Sequence, residues 1–269
     1  MEIKTKVQCP AKINLTLKIK GKRPDGFHEI ESIMQTINLF DYLTISVKES
    51  DKFRIILSGT SNQIPYDEKN LVWKAVELFF DNYITSNDKK YLIEIFIEKN
   101  IPIAAGLAGG STDAAGTLFG LNKMFNNPLS WNELSYLCSQ LGSDLNLCLE
   151  GGKQKAIGRG EILERLAFEK FNLSLIKPLN LGISAGYAYK KFSEKIAQGG
   201  SERECFENDL EWAVLNDFTE LKKIKELYPQ SIMTGSGSTY FVIEDKFRDL
   251  DGFWIKNNLS AIDFGVQII

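Results

Sequence analysis

A glycine-rich junction between a two-residue period and a helical period constrains this chain more than any other stretch. Residues 101–113 read IPIAAGLAGGSTD. Ahead of them, Tyr91, Ile93, Ile95 and Ile97 alternate with Leu92, Glu94, Phe96 and Glu98, the period of a strand. Behind them, Ala115, Leu118, Phe119, Leu121 and Phe125 recur near helical spacing, and Ser111, Thr112 and Asp113 are types that cap a helix start. The spacing predicts strand, loop and a helix over 112–125, with Asp113 as a first-turn carboxylate favoured by the helix dipole. Unpaired first-turn amides and that dipole make such a junction an anion site. Gly106, Gly109 and Gly110 would let a ligand approach the backbone. Polyphosphate is the natural candidate; the plainer alternative is a tight turn that uses glycine for backbone freedom. The loop lacks the Gly-Lys-Ser/Thr ending of a Walker A motif and the Gly-x-Gly-x-x-Gly spacing of a dinucleotide fold.

At 269 residues, with 43% hydrophobic and 25% charged residues, the chain can build two ordinary domains or one large one. A net charge of −3 argues against a nucleic-acid binder with a broad basic face. No apolar run approaches the roughly 20 residues of a membrane span, and the first residues show no secretory core, so a cytoplasmic protein is expected. Cys9, Cys138, Cys148 and Cys205 form no Cys-x-x-Cys pair and read as reduced packing residues. With His28 the single histidine, a zinc site is not expected and a two-histidine mechanism is excluded.

Residues 3–20 read as strand, broken at Pro10, then strand again, which leaves Lys12 as a cation among apolar neighbours or as a snorkelling surface lysine. Pro24-Asp25-Gly26 is a turn that would hold Phe27 and His28 at a loop-to-strand edge. Residues 41–47 and 52–57 read as the arms of a hairpin, and Asn70 as the cap of a helix carrying Leu71, Val72, Ala75, Val76, Leu78 and Phe79 inward. Ser130 and Glu133 form a capping box whose helix stops at Gly142. Asp144 then opens a buried apolar segment, where an unpaired carboxylate would be costly. Glycine and polar residues over 153–160 suggest a domain boundary. Beyond it, 173–176 and 181–184 read as strands, 187–197 as helix, and Asn208 with Glu211 as a second capping box opening a helix towards Tyr228. The segments 240–243 and 264–269 read as strands closing a second domain.

The string from Pro102 to Ala115 resembles the phosphate loop of the GHMP small-molecule kinases. Residues 10–41, PAKINLTLKIKGKRPDGFHEIESIMQTINLFD, resemble the N-terminal signature of the branch whose acceptor is 4-diphosphocytidyl-2-C-methyl-D-erythritol, and residues 233–239, MTGSGST, resemble the third GHMP motif, a turn that supports the phosphate loop. The resemblance implies an α+β, two-domain fold, 1–157 binding ATP and 158–269 following, with the active site in the cleft between them. It implies nucleotide contacts from Pro102-Ile103-Ala104-Ala105 through Gly106-Leu107-Ala108-Gly109 to Gly110-Ser111-Thr112, with Asn70 and Lys99 on the adenine side. Read without it, Asn70 is simply an N-cap and Lys99 a solvated strand end. It implies Lys12 and Asp144 as the catalytic pair, and Asn14, Phe27, His28 and Tyr189 as substrate contacts, the aromatics stacking on cytosine and His28 bonding its edge. Core packing for Phe27 and a satisfied loop histidine are the alternatives from local sequence.

The activity so implied is ATP-dependent phosphorylation of the 2-hydroxyl of that cytidine diphosphate-linked methylerythritol, in the non-mevalonate route to isoprenoid precursors. Magnesium is expected with ATP. Leu145-Asn146 stands where the family has Val-Pro, and Ala185 where it has threonine. The competing readings are a homoserine or mevalonate type of GHMP kinase, which would not require Gly26-Phe27-His28, and a nucleotide-binding module without catalysis, against which Lys12 and Asp144 both count.

Overall fold

A computed structural model describes residues 2–82, 89–200 and 202–269. Its frame is a pair of long antiparallel strands, β1 (Glu2–Lys22) and β2 (His28–Ser50), joined by the turn at Pro24-Asp25-Gly26. Alternation along β1 sends Val7, Cys9, Ala11 and Ile13 inward. The chain does not break at Pro10. A register shift between Pro10 and Ala11 absorbs the missing amide as a bulge, so Lys12 lies within one continuous strand.

The expected hairpin of 41–47 with 52–57 does not form. β3 (Arg54–Gly59) crosses through α1 (Leu71–Asn82) to β4 (Lys90–Glu98), and β4 inserts between β2 and β3, antiparallel to the first and parallel to the second. Central β4 is satisfied on both edges and buries Ile93, Ile95 and Ile97. The glycine loop follows it and enters α2 (Gly109–Met124). Cβ atoms at Gly116 and Gly120 would collide with Cys9, Val7 and Ile45, so small residues let α2 lie close against the sheet. α3 (Trp131–Leu141) starts on the full Ser130–Glu133 capping box and ends at Gly142, and α4 (Leu145–Glu150) follows within four residues.

The hairpin β5 (Lys153–Gly158) and β6 (Ile162–Arg165) straddles 157/158 yet stays with the first sheet, because β5 pairs β2. A second sheet has the order β10-β7-β9-β8, with β7 Asn172–Pro178, β8 Ile232–Met233, β9 Tyr240–Ile243 and β10 Phe253–Ser260. It packs against α5 (Ala185–Ala197), α6 (Asp209–Val214) and α7 (Thr219–Leu227) around Phe192, Trp212, Ile224 and Tyr240. Between the sheets, Ala11, Ile13, Ile37 and Leu39 meet Leu173, Leu175, Phe241 and Leu259. Residues 181–184 are not a strand; they lead into α5, which Ser184 caps.

Two further expectations change. Asn208 caps α6, but Glu211 accepts from the amide of Met233 (3.0 Å) and pairs with Lys225, so the second capping box is not reciprocal and the helix ends at Val214. The last strand, β11 (Gln267–Ile268), returns to β1 in the first sheet rather than closing the second. Among the described residues no helix is long and apolar enough to cross a membrane.

Candidate active site

Lys12 and Asn14 share a face of β1, two residues apart. The Lys12 ammonium donates to Asn14 Oδ1 at 2.7 Å and stands 3.4 Å from Asp144 Oδ2, its side chain 4% exposed against 34% for the aspartate. The Asn14 amide donates from Nδ2 to Ser32 Oγ (2.8 Å), and the Ser32 hydroxyl donates to the carbonyl of Thr16 (2.5 Å). Lysine can only donate and the Ser32 proton is spent, so the amide orientation is fixed by its partners. Asp144 occupies the N-cap position of α4 without capping it, which frees the carboxylate to face Lys12. In the departing dipeptide, Leu145 is buried and Asn146 accepts from Ser135 Oγ (3.1 Å), so the change from Val-Pro is accommodated as a helix start.

The loop carries three left-handed residues, Ala104 (φ 49°), Gly106 (φ 75°) and Ala108 (φ 59°). α2 starts at Gly109, three residues earlier than the spacing predicts, and Ala108 holds the N-cap position with no side-chain cap. Ser111, Thr112 and Asp113 therefore lie inside the helix, not before it. Ala105, Leu107 and Thr112 bury their side chains, so any ligand contact from these three is made by backbone.

The glycines answer to the protein as well as to a ligand. A Cβ on Gly106 would overlap the carbonyl oxygen of Thr234, and one on Gly109 would meet Lys99 Nζ at 2.9 Å and Ile101 at 3.1 Å. Only Gly110 has open space, its nearest neighbour Leu71 Cδ1 at 3.8 Å. The turn at 233–239 clasps this loop. Thr234 Oγ1 accepts from the amide of Asn14 (2.9 Å) and reaches the carbonyl of Gly106 (3.2 Å).

Lys99 is not a solvated strand end. Its side chain is 5% exposed and ion-pairs with Asp41 and with Asp113 (2.7 Å). Asp41 also accepts from the amides of Asn100 (2.6 Å) and Ile101 (2.8 Å), anchoring the entry to the loop. Asp113 is fully enclosed rather than a dipole-favoured surface carboxylate. Burial outweighs the Lys99 ammonium and, with Asp41 nearby, pushes its carboxyl up to about 7. Lys99, Asn70 and the loop line a 250 Å³ pocket. The Asn70 side chain caps α1, accepting from Val72 N (2.9 Å) and donating to Pro65 O (2.7 Å).

A larger cavity of 840 Å³ opens on the other side of the loop, and Gly106 and Ala108 line both. Lys12, Asn14, Asp144, Phe27, His28 and Tyr189 all border it. Phe27 is 54% exposed, which removes core packing as its role. His28 stacks on Tyr189 with centroids 4.9 Å apart and planes at 19°, and its Nε2 lies 3.0 Å from Ser193 Oγ. Burial, then Lys22, lowers the His28 pKa, so the ring is neutral near pH 7. Sequence reasoning missed Arg159, whose guanidinium sits 4.9 Å over the Phe27 ring, and Ser193. Neither belongs to a motif; Arg159 falls in the stretch read as a boundary.

Residues 70–152 match the GHMP kinases N terminal domain. The whole fold is shared with a homoserine kinase from Cytophaga hutchinsonii, TM-score 0.65 at 15% identity, covering 99% of this chain and 97% of that one. The matched segment, 70–152, carries both the glycine loop and Asp144. A crystal structure titled 4-(cytidine 5'-diphospho)-2C-methyl-D-erythritol kinase superposes with TM-score 0.67 at 27% identity over 90% of this chain and 89% of that chain. Proteins named 4-diphosphocytidyl-2-C-methyl-D-erythritol kinase are 42% identical in Prochlorococcus marinus (strain MIT 9301), over 96% of this chain and 90% of the relative. In Desulfitobacterium hafniense (strain Y51) the identity is 38%, over 92% and 91%. The chain belongs to the 4-diphosphocytidyl-2-C-methyl-D-erythritol kinase family.

Proposed function

We propose that this protein transfers the γ-phosphoryl group of ATP to the 2-hydroxyl of 4-diphosphocytidyl-2-C-methyl-D-erythritol. The observation that carries the reading is the Lys12–Asp144 pair, 3.4 Å apart, in a cavity that meets the loop-side pocket at Gly106 and Ala108. A donor on the loop and an alcohol in the larger cavity then face each other across that pair.

Phosphoryl transfer asks chiefly for alignment and charge stabilisation. Asp144 accepts or orients the proton of the attacking hydroxyl, and Lys12, held by Asn14, keeps hydroxyl and carboxylate together and offsets charge on the transferring group. The amides at the start of α2 and the loop backbone cradle the polyphosphate. Phe27, His28 and Tyr189 receive the cytosine at the far end. Among the described residues no group of three or more His, Cys, Asp or Glu side chains forms a metal cage. Magnesium, bound together with ATP, would supply charge neutralisation to the phosphates.

The test is to incubate the purified protein with ATP and, separately, the cytidyl alcohol, homoserine and mevalonate, following ADP and the phosphorylated product by phosphorus NMR. Product from the cytidyl alcohol alone is expected. Preference for another alcohol, or ATP binding with no transfer, would overturn the reading.

A further inference from the structure

His28 has a neighbour that fixes which of its nitrogens carries the proton. Ser193 lies on α5, one turn after Tyr189, and its hydroxyl sits 3.1 Å from the Tyr189 carbonyl and 3.0 Å from His28 Nε2. The hydroxyl owns a single proton. If that proton goes to Nε2, the bond to the Tyr189 carbonyl is lost and one hydrogen bond is made in all. If it goes to the carbonyl, the oxygen is free to accept from Nε2–H and two are made. The second arrangement is favoured by the extra bond. The stacking of His28 on Tyr189 comes from the same helix turn, so plane and proton are set together.

We infer that Ser193 is a positioning residue that holds His28 as its Nε2–H tautomer, leaving Nδ1 as a lone-pair acceptor that selects cytosine over uracil. The inference rests on the reading above that His28 meets the base edge. Among the described residues Nδ1 has no hydrogen-bond partner in the protein, and the ring borders the 840 Å³ cavity. Cytosine presents an exocyclic amino group, a donor that Nδ1 can accept; uracil presents a carbonyl oxygen there, and two lone pairs would face each other. The lowered pKa of His28 keeps Nδ1 unprotonated at neutral pH, so this discrimination is not erased by an imidazolium.

His28 is the single histidine of the sequence, so one ring is seen in a nitrogen-15 long-range correlation spectrum of the labelled protein. At pH 7.5 the wild type is expected to show the Nε2–H form, and Ser193→Ala a shift towards the mixed tautomers of free imidazole. In kinetics the wild type is expected to favour the cytidyl alcohol over its uridyl analogue by roughly 10- to 100-fold in kcat/KM. Ser193→Ala should reduce that ratio about fivefold with the KM for ATP unchanged, and Ser193→Thr should restore it. A wild-type ring protonated at Nδ1, or an unchanged ratio in folded Ser193→Ala, overturns the inference. His28→Ala separates the two levels: if it phosphorylates the cytidyl alcohol as well as wild type while the wild-type ring is Nε2–H, the contact between His28 and cytosine itself fails, and the selectivity fails with it.

Discussion

The two ends of the cleft are built from different materials. At the loop end the chain offers backbone: Ala105, Leu107 and Thr112 turn inward, Gly106 and Gly109 press against Thr234 and Lys99, and what faces the pocket is largely main chain. At the proposed acceptor end it offers side chains, an exposed Phe27, a half-buried His28 and Tyr189, and the Lys12–Asp144 pair. A backbone cradle recognises what every nucleotide shares, its phosphates, and depends on packing beneath it. A side-chain pocket recognises one base and one alcohol, and can change without disturbing the fold.

The sharpest break between the ends is expected from Asp144→Asn. Turnover should fall by ~10²–10⁴, the range for a positioned acid or base, with nucleotide affinity near wild type, since the carboxylate belongs to the acceptor end. Steady-state kinetics with a nucleotide titration measures both, and unchanged turnover would remove Asp144 from the mechanism.

Next in size is a pair of glycine substitutions. Gly109→Val must displace Lys99 or Ile101, so it should lower thermal stability and raise the KM for ATP ~10-fold or more, the overpacking alone costing about 1–3 kcal/mol. Gly110→Ala has room on the protein side and suits a helix, so any rise in the KM for ATP should come without loss of melting temperature. Equal melting temperatures for the two variants would contradict the packing account of Gly109.

A third test reads the support beneath the loop. The folded carboxyl of Asp113 lies above its ordinary 3.8, at about 7, so folding takes up a proton between those values. Its contribution is full below pH 4 and is lost as pH rises through 7, at a limit of about 1.4 kcal/mol per unit. Asp113→Asn should flatten that fall in urea-unfolding midpoints between pH 4.5 and 8. A slope equal to wild type would place the titration elsewhere.

The smallest effect is expected at Ala108, whose φ of 59° is left-handed. Ala108→Gly should gain ~1 kcal/mol and raise the melting temperature slightly, with activity retained. A lower melting temperature would show that the alanine methyl holds the loop.

How far the sequence could be read follows the same division. Local chemistry was legible: the Ser130 capping box, the Gly142 stop, the Asn70 cap and the strand into the glycine loop all arise from contacts a few residues apart. Lys12, Asp144, Phe27, His28 and Tyr189 stood in motifs, and all of them border one cavity. Long-range pairing was not legible. Alternation in 41–47 and 52–57 fits a hairpin as well as it fits strands separated by β4, and only the pairing of β4 decides. The strand pattern of 264–269 does not say which sheet it joins. Asp113 was misread because helix position alone cannot reveal that Lys99 and Asp41 enclose it, and Glu211 because its partner amide lies 22 residues away.

Thr234 gives the two ends a common datum. Its one hydroxyl touches Gly106 in the glycine loop and Asn14 beside Lys12, while Asn208, from the start of α6, donates to the carbonyls on either side of it, Met233 (2.7 Å) and Gly235 (2.8 Å). In the proposed reaction, donor and acceptor are thus surveyed from the same benchmark. A shift of the turn at 233–239 would act on both contacts at once rather than on one side of the gap the phosphoryl group must cross.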